Sequence, residues 1–280
     1  MECEPITTRA SRPLGCSAGD PPEQVRPGED GRVATGELEA GLAGDGVTLC
    51  VLQAANNETG VVQPVEEMAR LARAHRVVSF VDAVQAPGRL TPVFEADAVA
   101  YSAHKFGGPA GVGVLTLRRG HSLVPLVPGH QEGGLRGGTP SVLLCEAAAL
   151  ALELAEAERE REGRRLAELR DGFERALPKH GWRVRIHGAA APRLGNTSNV
   201  CFSGEDAEAV LIGLDLEGFA VSVGAACASG TMRPSPVLLA MGVSVEDARA
   251  SVRFSFGRDT TEAEVTALLR ALDRVLDRVL

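Results

Sequence analysis

The sequence predicts an α/β protein in which a largely parallel or mixed sheet is followed by a smaller α+β unit. Three observations carry this prediction. Apolar runs with the character of buried strands recur at 47–55, 77–85, 97–103 and 112–117. A helical pattern separates the first two runs, which is typical of a right-handed βαβ unit. Beyond about residue 156, short strand-like and helix-like segments alternate, as they do in α+β domains.

The large α/β part is predicted to span 26–155, after an irregular segment at 1–25 that is rich in Pro, Gly and charged residues. Helices are predicted from Thr35 and from Pro64, which suits a first helical position, to about His75. In such sheets ligands bind at the carboxyl ends of the strands. The polar residues at or just past those ends are Asn57, Asp82, Gln85, Ser102, His104 and Lys105.

Lys105 is one of two lysines, with Lys179, among 29 basic residues. It follows an apolar run and precedes a glycine-rich turn, where the backbone can approach a ligand closely. A lysine in this position can act as a nucleophilic amine and form a Schiff base, although the local sequence also suits a solvated loop lysine. A Rossmann phosphate loop is disfavoured, because the glycines lead into VGVLTL, a strand pattern, rather than into a helix.

The second part of the chain, 156–280, is predicted to be the small α+β domain. Thr139 and Pro140 form an N-cap and first-turn pair for a helix that continues well past residue 155. The glycines before this helix leave backbone amides free for an anion, or they belong to an ordinary capped helix. Thr261 and Glu264 form a capping box for the last helix.

The six cysteines contain no C-x-x-C pair and no zinc-finger spacing. We therefore expect free thiols, no disulfide framework and no metal site. Cys50, Cys145 and Cys201 lie among branched apolar residues and are predicted to be small core residues. Cys227 lies in the small-residue segment VSVGAACASG, which suits an accessible thiol or a structural one.

Composition excludes several classes of protein. A net charge of -8 and a pI near 5.4 give no basic surface for nucleic acid. No apolar run has the length of a membrane span, and the N-terminus lacks the pattern of a signal peptide. With 44% hydrophobic residues, the chain is expected to be a globular, cytoplasmic protein with a real core.

Six motifs, in order and spacing from about residue 26 to the end, resemble the cysteine desulfurases of the NifS/IscS type. These belong to the class V aminotransferase branch of the fold-type I pyridoxal-phosphate (PLP) enzymes. The motifs are NNETG at 56–60, DAVQ at 82–85, SAHK at 102–105, QEGGLRGGT at 131–139, GAAC at 224–227 and RFSFGR at 253–258. Selenocysteine lyases share GAAC and SPVLL and remain an alternative.

The resemblance implies a PLP site at the strand ends. Lys105 would hold the cofactor covalently, Asp82 would pair with the pyridinium nitrogen, and Gln85 would hydrogen-bond the ring hydroxyl. The phosphate would be bound by Ser102, His104 and, across a homodimer interface, Thr139.

The resemblance also implies the reaction. Asn57 and Arg253 would hold the carboxylate of L-cysteine, Arg253 by a fork pair. Cys227 would take the substrate sulfur as a persulfide and release alanine. The sulfur acceptor would be a protein such as an iron–sulfur scaffold or a relay for tRNA thiolation.

The sequence departs from the family pattern at its start. Family members begin well before this chain does, and their additional part carries a phosphate-binding Gly/Thr loop and a histidine that stacks on the ring. Glu2-Cys3-Glu4-Pro5 aligns with the segment that bears this histidine, which would put Cys3 in its place. A non-enzymatic alternative is therefore a remnant without cofactor that acts through its dimer surface or as a thiol carrier through Cys227.

Overall fold

The structure is a computed structural model that describes residues 7–8, 23–92, 95–224 and 233–279. The first sheet and its helices consist of β1 (Thr7–Thr8), β2 (Glu23–Gln24), α1 (Thr35–Leu42), β3 (Leu49–Gln53), α2 (Val65–Ala74), β4 (Val78–Asp82), β5 (Ala98–Ser102) and β6 (Gly113–Leu117). The remaining elements are α3 (Val142–Ala176), β7 (Val184–Ile186), β8 (Thr197–Phe202), α4 (Ala207–Leu216), β9 (Ser222–Val223), α5 (Pro236–Ala240), α6 (Val245–Arg249), β10 (Ser251–Ser255) and α7 (Glu262–Val279).

The first sheet has the strand order β2-β1-β3-β4-β5-β6. Strands β3, β4 and β5 are parallel, whereas β6 runs antiparallel to β5 and β1 antiparallel to β3. Helix α2 makes the crossover between β3 and β4 and buries Val65, Met68 and Leu71 against the sheet. The predicted mixed sheet and βαβ unit are confirmed. Strands β1 and β2 lie within 1–25, which was predicted to be irregular, and they extend the sheet beyond β3.

The second sheet is antiparallel, in the order β7-β8-β10-β9. Because successive side chains of a strand point to opposite faces, β8 and β10 give this sheet one apolar and one polar face. Val200 and Val252 lie on the apolar face, which packs with Phe173 of α3 and with α4 and α7. Asn199 and Arg253 lie opposite each other on the other face.

Helix α3 begins two residues later than the sequence predicts. Ser141 is its N-cap, and its Oγ accepts a hydrogen bond from the Leu144 amide at 3.5 Å. The prediction of Thr139 as the N-cap is therefore wrong, because a hydroxyl side chain caps only amides two or three residues downstream. Helix α3 then continues for 35 residues, across the boundary predicted near residue 155. The division into two domains stays a prediction.

Two of the three cysteines predicted for the core are buried. Cys50 and Cys201 are inaccessible, and burial raises the pKa of the Cys50 thiol to about 11. Cys145 is exposed, so its prediction is wrong. It lies on the N-terminal half of α3, where Val142 and Leu143 are also exposed, because the described residues leave this part of the helix uncovered.

The last helix, α7, begins at the capping box that the sequence predicts. Glu264 Oε2 accepts a hydrogen bond from the Thr261 amide at 2.8 Å, and Thr261 Oγ1 accepts one from the Glu264 amide at 3.2 Å, which confirms the capping box. No helix in the described ranges is long and apolar enough to cross a bilayer. The same residues contain no cluster of His, Cys, Asp and Glu that could hold a metal ion.

Candidate active site

The candidate site lies at the carboxyl ends of the three parallel strands. Asp82 is the last residue of β4 and pairs in register with Gln53, the last residue of β3, and with Ala100 of β5. Ser102 ends β5. The parallel arrangement therefore brings together the turns that follow all three strands, as the sequence predicts.

The half-buried carboxylate of Asp82 keeps one oxygen available. Its Oδ1 accepts a hydrogen bond from the Val84 amide at 2.9 Å, which fixes the carboxylate against the turn after β4. Its second oxygen makes no hydrogen bond to a described residue. An anchored carboxylate with one open oxygen can pair with a protonated ring nitrogen.

Lys105 ends a single turn of 3₁₀ helix directly after β5. Its side chain is exposed, and its ammonium group has no hydrogen-bond or ion-pair partner among the described residues. Arg89 fixes the backbone of this turn by donating from Nη2 to the Lys105 carbonyl oxygen at 2.9 Å and from Nη1 to the Gln85 carbonyl oxygen at 3.2 Å. Burial lowers the pKa of Arg89. The turns that carry Lys105 and Gln85 are thus joined through one guanidinium.

Ser102 and His104 form a polar pair beside Lys105. Ser102 Oγ and His104 Nδ1 are 2.9 Å apart and share a hydrogen bond. The His104 ring is exposed and Ser102 is half-buried. A hydroxyl and an imidazole at an exposed strand end can both donate hydrogen bonds to an anion.

Asn57 lies in a tight turn after β3 that Asn56 organises. Asn56 is buried, and its Oδ1 accepts hydrogen bonds from the amides of Glu58 and Thr59, both at 2.9 Å. This side chain replaces a backbone acceptor, which explains why an Asn suits the first position of the motif. The turn presents Asn57 toward the second sheet.

Three hydrogen bonds reach this turn, two from the second sheet and one from Ser235, the N-cap of α5. Arg253 Nη1 donates to the Asn57 carbonyl oxygen at 3.2 Å, and Asn199 Nδ2 donates to the Glu58 carbonyl oxygen at 3.3 Å. Ser235 Oγ donates to Glu58 Oε2 at 2.5 Å. Burial raises the pKa of Glu58, whereas the Ser235 hydrogen bond and the charge of Arg253 act in the opposite direction.

Three side-chain atoms at this contact are buried and have no hydrogen-bond partner among the described residues. They are Asn57 Oδ1, Arg253 Nε and Asn199 Oδ1. Buried polar atoms are almost always paired in native structures, with protein, water or a ligand. These three atoms are therefore available to water or to a small polar ligand.

Two predicted residues do not join these contacts. Thr139 is exposed and makes no hydrogen bond to a described residue of the site, so its predicted reach to a neighbouring subunit stays a prediction. Cys227 lies outside the described residues. Ser222 of β9, five residues before it, pairs with Arg253.

The residues at the strand ends suit a pyridoxal-type cofactor. Among the described residues, the edge offers a lysine amine without a partner, an anchored carboxylate with one open oxygen and a Ser–His pair for an anion. Sequence reasoning did not identify Arg89, Glu58 or Asn199. Arg89 donates to the Lys105 carbonyl and Asn199 to the Glu58 carbonyl, and contacts between residues this far apart in sequence leave no local pattern.

Comparison with known proteins assigns the family. The family described as "Aminotransferase class-V" matches residues 23–268, and the chain belongs to it. Among curated proteins, the chain is similar to "Cysteine desulfurase IscS" of Dictyoglomus turgidum, with 37% identity over 255 residues, 89% of this chain and 64% of that protein. It is also similar to "IscS-like cysteine desulfurase" of Mycobacterium tuberculosis, with 40% identity over 255 residues, 89% of this chain and 65% of that protein.

Solved structures agree with this assignment. A protein titled "NIFS-LIKE PROTEIN" matches with a TM-score of 0.83 and 32% identity over 91% of this chain and 68% of that chain. A NifS-like protein from Rickettsia africae matches with a TM-score of 0.83 and 29% identity over 91% of this chain and 69% of that one. The predicted resemblance and fold class are confirmed. The chain spans just under two thirds of the length of the two curated relatives.

Proposed function

We propose that this chain performs the chemistry of a PLP-dependent cysteine desulfurase, in which L-cysteine becomes L-alanine and its sulfur passes to Cys227. The observation that carries the proposal is the contact between Arg253 of the second sheet and the Asn57 turn, at the edge where Lys105 and Asp82 lie. This contact supports the proposal because the Asn57 turn follows β3 at the same sheet edge as Asp82 and Lys105. The similarity to curated cysteine desulfurases supports the same chemistry.

In this proposal PLP is held by residues of the strand edge. Lys105 would hold it covalently, Asp82 would pair with the ring nitrogen, and Gln85 would donate to the ring hydroxyl. Ser102 and His104 would donate to the phosphate. When bound, PLP supplies an electron sink for negative charge at the substrate Cα.

The chain's own groups do the remaining work. Arg253 and Asn57 bind the substrate carboxylate and orient the amino acid. The Lys105 amine, free once the substrate amine has taken its place, takes the proton from the substrate Cα and returns one to carbon. Asp82 keeps the ring nitrogen protonated, because its carboxylate favours the charged form.

The proposed sulfur transfer needs no oxidant or reductant other than the substrate and Cys227. The Cys227 thiolate attacks the substrate sulfur, so that an S–S bond forms and the substrate C–S bond breaks. The carbon that loses sulfur is reduced and takes up a proton to become the methyl group of alanine. The Cys227 sulfur and the transferred sulfur together become a persulfide at the sulfane oxidation level, which an acceptor protein with a thiol can take.

The first test uses the two lysines as a matched pair. The purified chain with added PLP is expected to show a visible absorbance band that disappears on borohydride reduction, which leaves the cofactor attached to Lys105. Lys105→Ala should lose the band, and Lys179→Ala should keep it. A wild-type chain that stays colourless with excess cofactor would refute the proposal.

The second test locates the sulfur. After incubation with L-cysteine and PLP, mass spectrometry should find the persulfide on Cys227. Cys227→Ala should lose it, and Cys145→Ala, which changes an exposed thiol of α3, should keep it. Equal persulfide on several cysteines would indicate chemical oxidation and contradict the assignment.

The exposed apolar surface supports two proposals: the chain forms a homodimer, and further polypeptide covers part of this surface. Large apolar side chains on β6 and on the N-terminal half of α3 are exposed. They include Val114, Leu115, Val142, Leu143, Leu150 and Leu154. Large exposed apolar patches usually mark interfaces. Thr139 lies just before α3 and is proposed to donate to the phosphate of the neighbouring subunit.

Turnover by the 280 residues alone is expected to be slow. Co-expression with a segment that corresponds to the remaining third of the relatives should raise alanine release and PLP affinity, with a dimeric mass in analytical ultracentrifugation. Family-like turnover by a proven monomer would contradict this.

Parallel assays with selenocysteine decide between desulfurase and lyase preference. The free thiols of Cys50, Cys145 and Cys201 suit the proposed cytoplasmic location.

A further inference from the structure

Asn199 is the direct neighbour of Arg253 on the polar face of the second sheet. The two residues pair in register across β8 and β10, so both side chains leave the sheet on the same face. Opposite residues of antiparallel strands have Cβ atoms only about 4.5–5.5 Å apart. The Asn199 amide is therefore within reach of the Arg253 guanidinium.

Both side chains are directed to the same backbone turn. Asn199 Nδ2 donates to the Glu58 carbonyl oxygen at 3.3 Å, and Arg253 Nη1 donates to the Asn57 carbonyl oxygen at 3.2 Å. A carbonyl oxygen can only accept, so the nitrogen of the Asn199 amide must face Glu58. The Asn199 Oδ1 atom therefore points away from that carbonyl.

The atoms that remain are a donor and an acceptor. Arg253 Nε and Asn199 Oδ1 are both buried, and neither has a hydrogen-bond partner among the described residues. Asn199 is 4% exposed, so bulk solvent does not reach its oxygen. Two complementary unpaired atoms on neighbouring residues can satisfy each other after a small rotation of the guanidinium.

We propose that Asn199 is a positioning residue for Arg253, and this inference rests on the proposed function. When a substrate carboxylate binds, Arg253 leaves the Asn57 carbonyl and presents its Nη1–Nη2 edge to the two carboxylate oxygens. Asn199 Oδ1 then accepts the Nε–H hydrogen bond. Because the guanidinium is planar, fixing Nε sets the plane of the fork that meets the carboxylate.

Two substitutions separate this role from a purely structural one. Asn199→Leu removes both the acceptor and the donor at similar size. Asn199→Asp keeps an acceptor beside Arg253 and loses the donor to Glu58. A structural role through the Glu58 carbonyl predicts equal loss in both variants, whereas the positioning role predicts that aspartate restores carboxylate binding.

The first readout compares the effects of the substitutions on KM and on kcat. It uses the chain co-expressed with the segment that corresponds to the remaining third of the relatives. Asn199→Leu should raise the KM for L-cysteine about tenfold, the factor expected for one hydrogen bond of ordinary strength, with kcat changed much less. Asn199→Asp should stay near the wild-type KM. PLP affinity, and the absorbance change produced by cysteamine, which lacks a carboxylate, should be the same in all three proteins.

A second readout needs neither turnover nor cofactor. In a chain labelled with ¹⁵N-arginine, the Nε–H signal of Arg253 is identified by its absence from Arg253→Lys. L-alanine at saturating concentration should shift this signal and slow its exchange with water in the wild type and in Asn199→Asp, but not in Asn199→Leu.

The outcomes separate the two proposals. A chain that never binds PLP refutes the proposed function, while the Arg253 signal still decides the role of Asn199. If L-alanine changes neither the shift nor the exchange of the Arg253 Nε–H signal in the wild type, the inference is overturned. An equal shift in Asn199→Leu also overturns it, because Nε would then meet the carboxylate directly.

Discussion

Replacing Glu174 with alanine should strongly destabilise the protein, because Glu174 is the partner of a buried arginine. Arg193 forms a bidentate pair with it, with Nη1–Oε1 at 2.7 Å and Nη2–Oε2 at 2.8 Å. Ser198 Oγ donates to the same carboxylate at 2.7 Å. The side chains of Arg193 and Glu174 are only 6% and 11% exposed, so Glu174→Ala leaves a charged group in the interior without its partner.

The size of the effect follows from that burial. Removing one member of a buried ion pair typically costs about 3–5 kcal/mol, because the remaining charge keeps its desolvation penalty and loses its compensation. Replacing both residues with leucine should cost less than either single alanine substitution, since no unpaired charge remains. The matched control is Glu160→Ala. Glu160 pairs with Arg164 on the same helix at 4.0 Å, but both side chains are more than 70% exposed, so its loss should cost less than about 1 kcal/mol.

Urea unfolding followed by tryptophan fluorescence measures these differences. Trp182, the single tryptophan of the sequence, packs against the core of the second sheet and stacks on His180. Its signal therefore reports unfolding of the unit that Glu174 stabilises. If Glu174→Ala loses less than about 1 kcal/mol, or no more than Glu160→Ala, the reasoning from burial is refuted.

Three further predictions concern stability and reactivity. The pKa of buried His187 is lowered from 6.5 to about 4, chiefly by burial, so between these pH values the unfolded chain binds a proton that the folded chain does not. The free energy of unfolding should therefore fall by up to about 3 kcal/mol between pH 6.5 and pH 4. A His187→Gln variant whose pH profile matches the wild type would contradict this. Gly188→Ala should cost about 1–3 kcal/mol in thermal unfolding, because Gly188 has φ +74° and an added Cβ would overlap Val61 Cγ2; an unchanged melting temperature would exclude the clash. Iodoacetamide should label exposed Cys145 quickly in the folded protein and Cys50 only after unfolding, as measured by mass spectrometry; equal rates would show that Cys50 is accessible.

The sequence predicts best those features that depend on neighbouring residues. Helix α2 and the capping box of α7 follow from local periodicity and from side chains three residues apart. The strand-end position of Asp82 and Lys105 follows from the βαβ topology, because parallel strands bring their carboxyl ends to one edge.

Features that depend on distant partners could not be predicted in the same way. Cys145 lies in an apolar run. Whether that run is buried depends on whether other polypeptide packs over this part of α3, which the local sequence does not show. Strand β9 has two residues and exists through its pairing with β10. From the sequence, Asn199 is only a polar residue within a strand. Its pairing with Arg253 becomes known only from the register of β8 and β10.

The placement of the site on two sheets also has a consequence for protein synthesis. The parallel strands that carry Asp82 and Lys105 contact elements close in sequence, so they can form while the chain is still being made. Arg253 leaves the ribosome roughly 150 residues after Lys105, which at 5–20 residues per second is a delay on the order of 7–30 s. During this interval the nascent chain carries the proposed cofactor edge without the arginine that would bind substrate. The residues proposed to hold the cofactor are therefore synthesised well before the arginine proposed to bind the substrate.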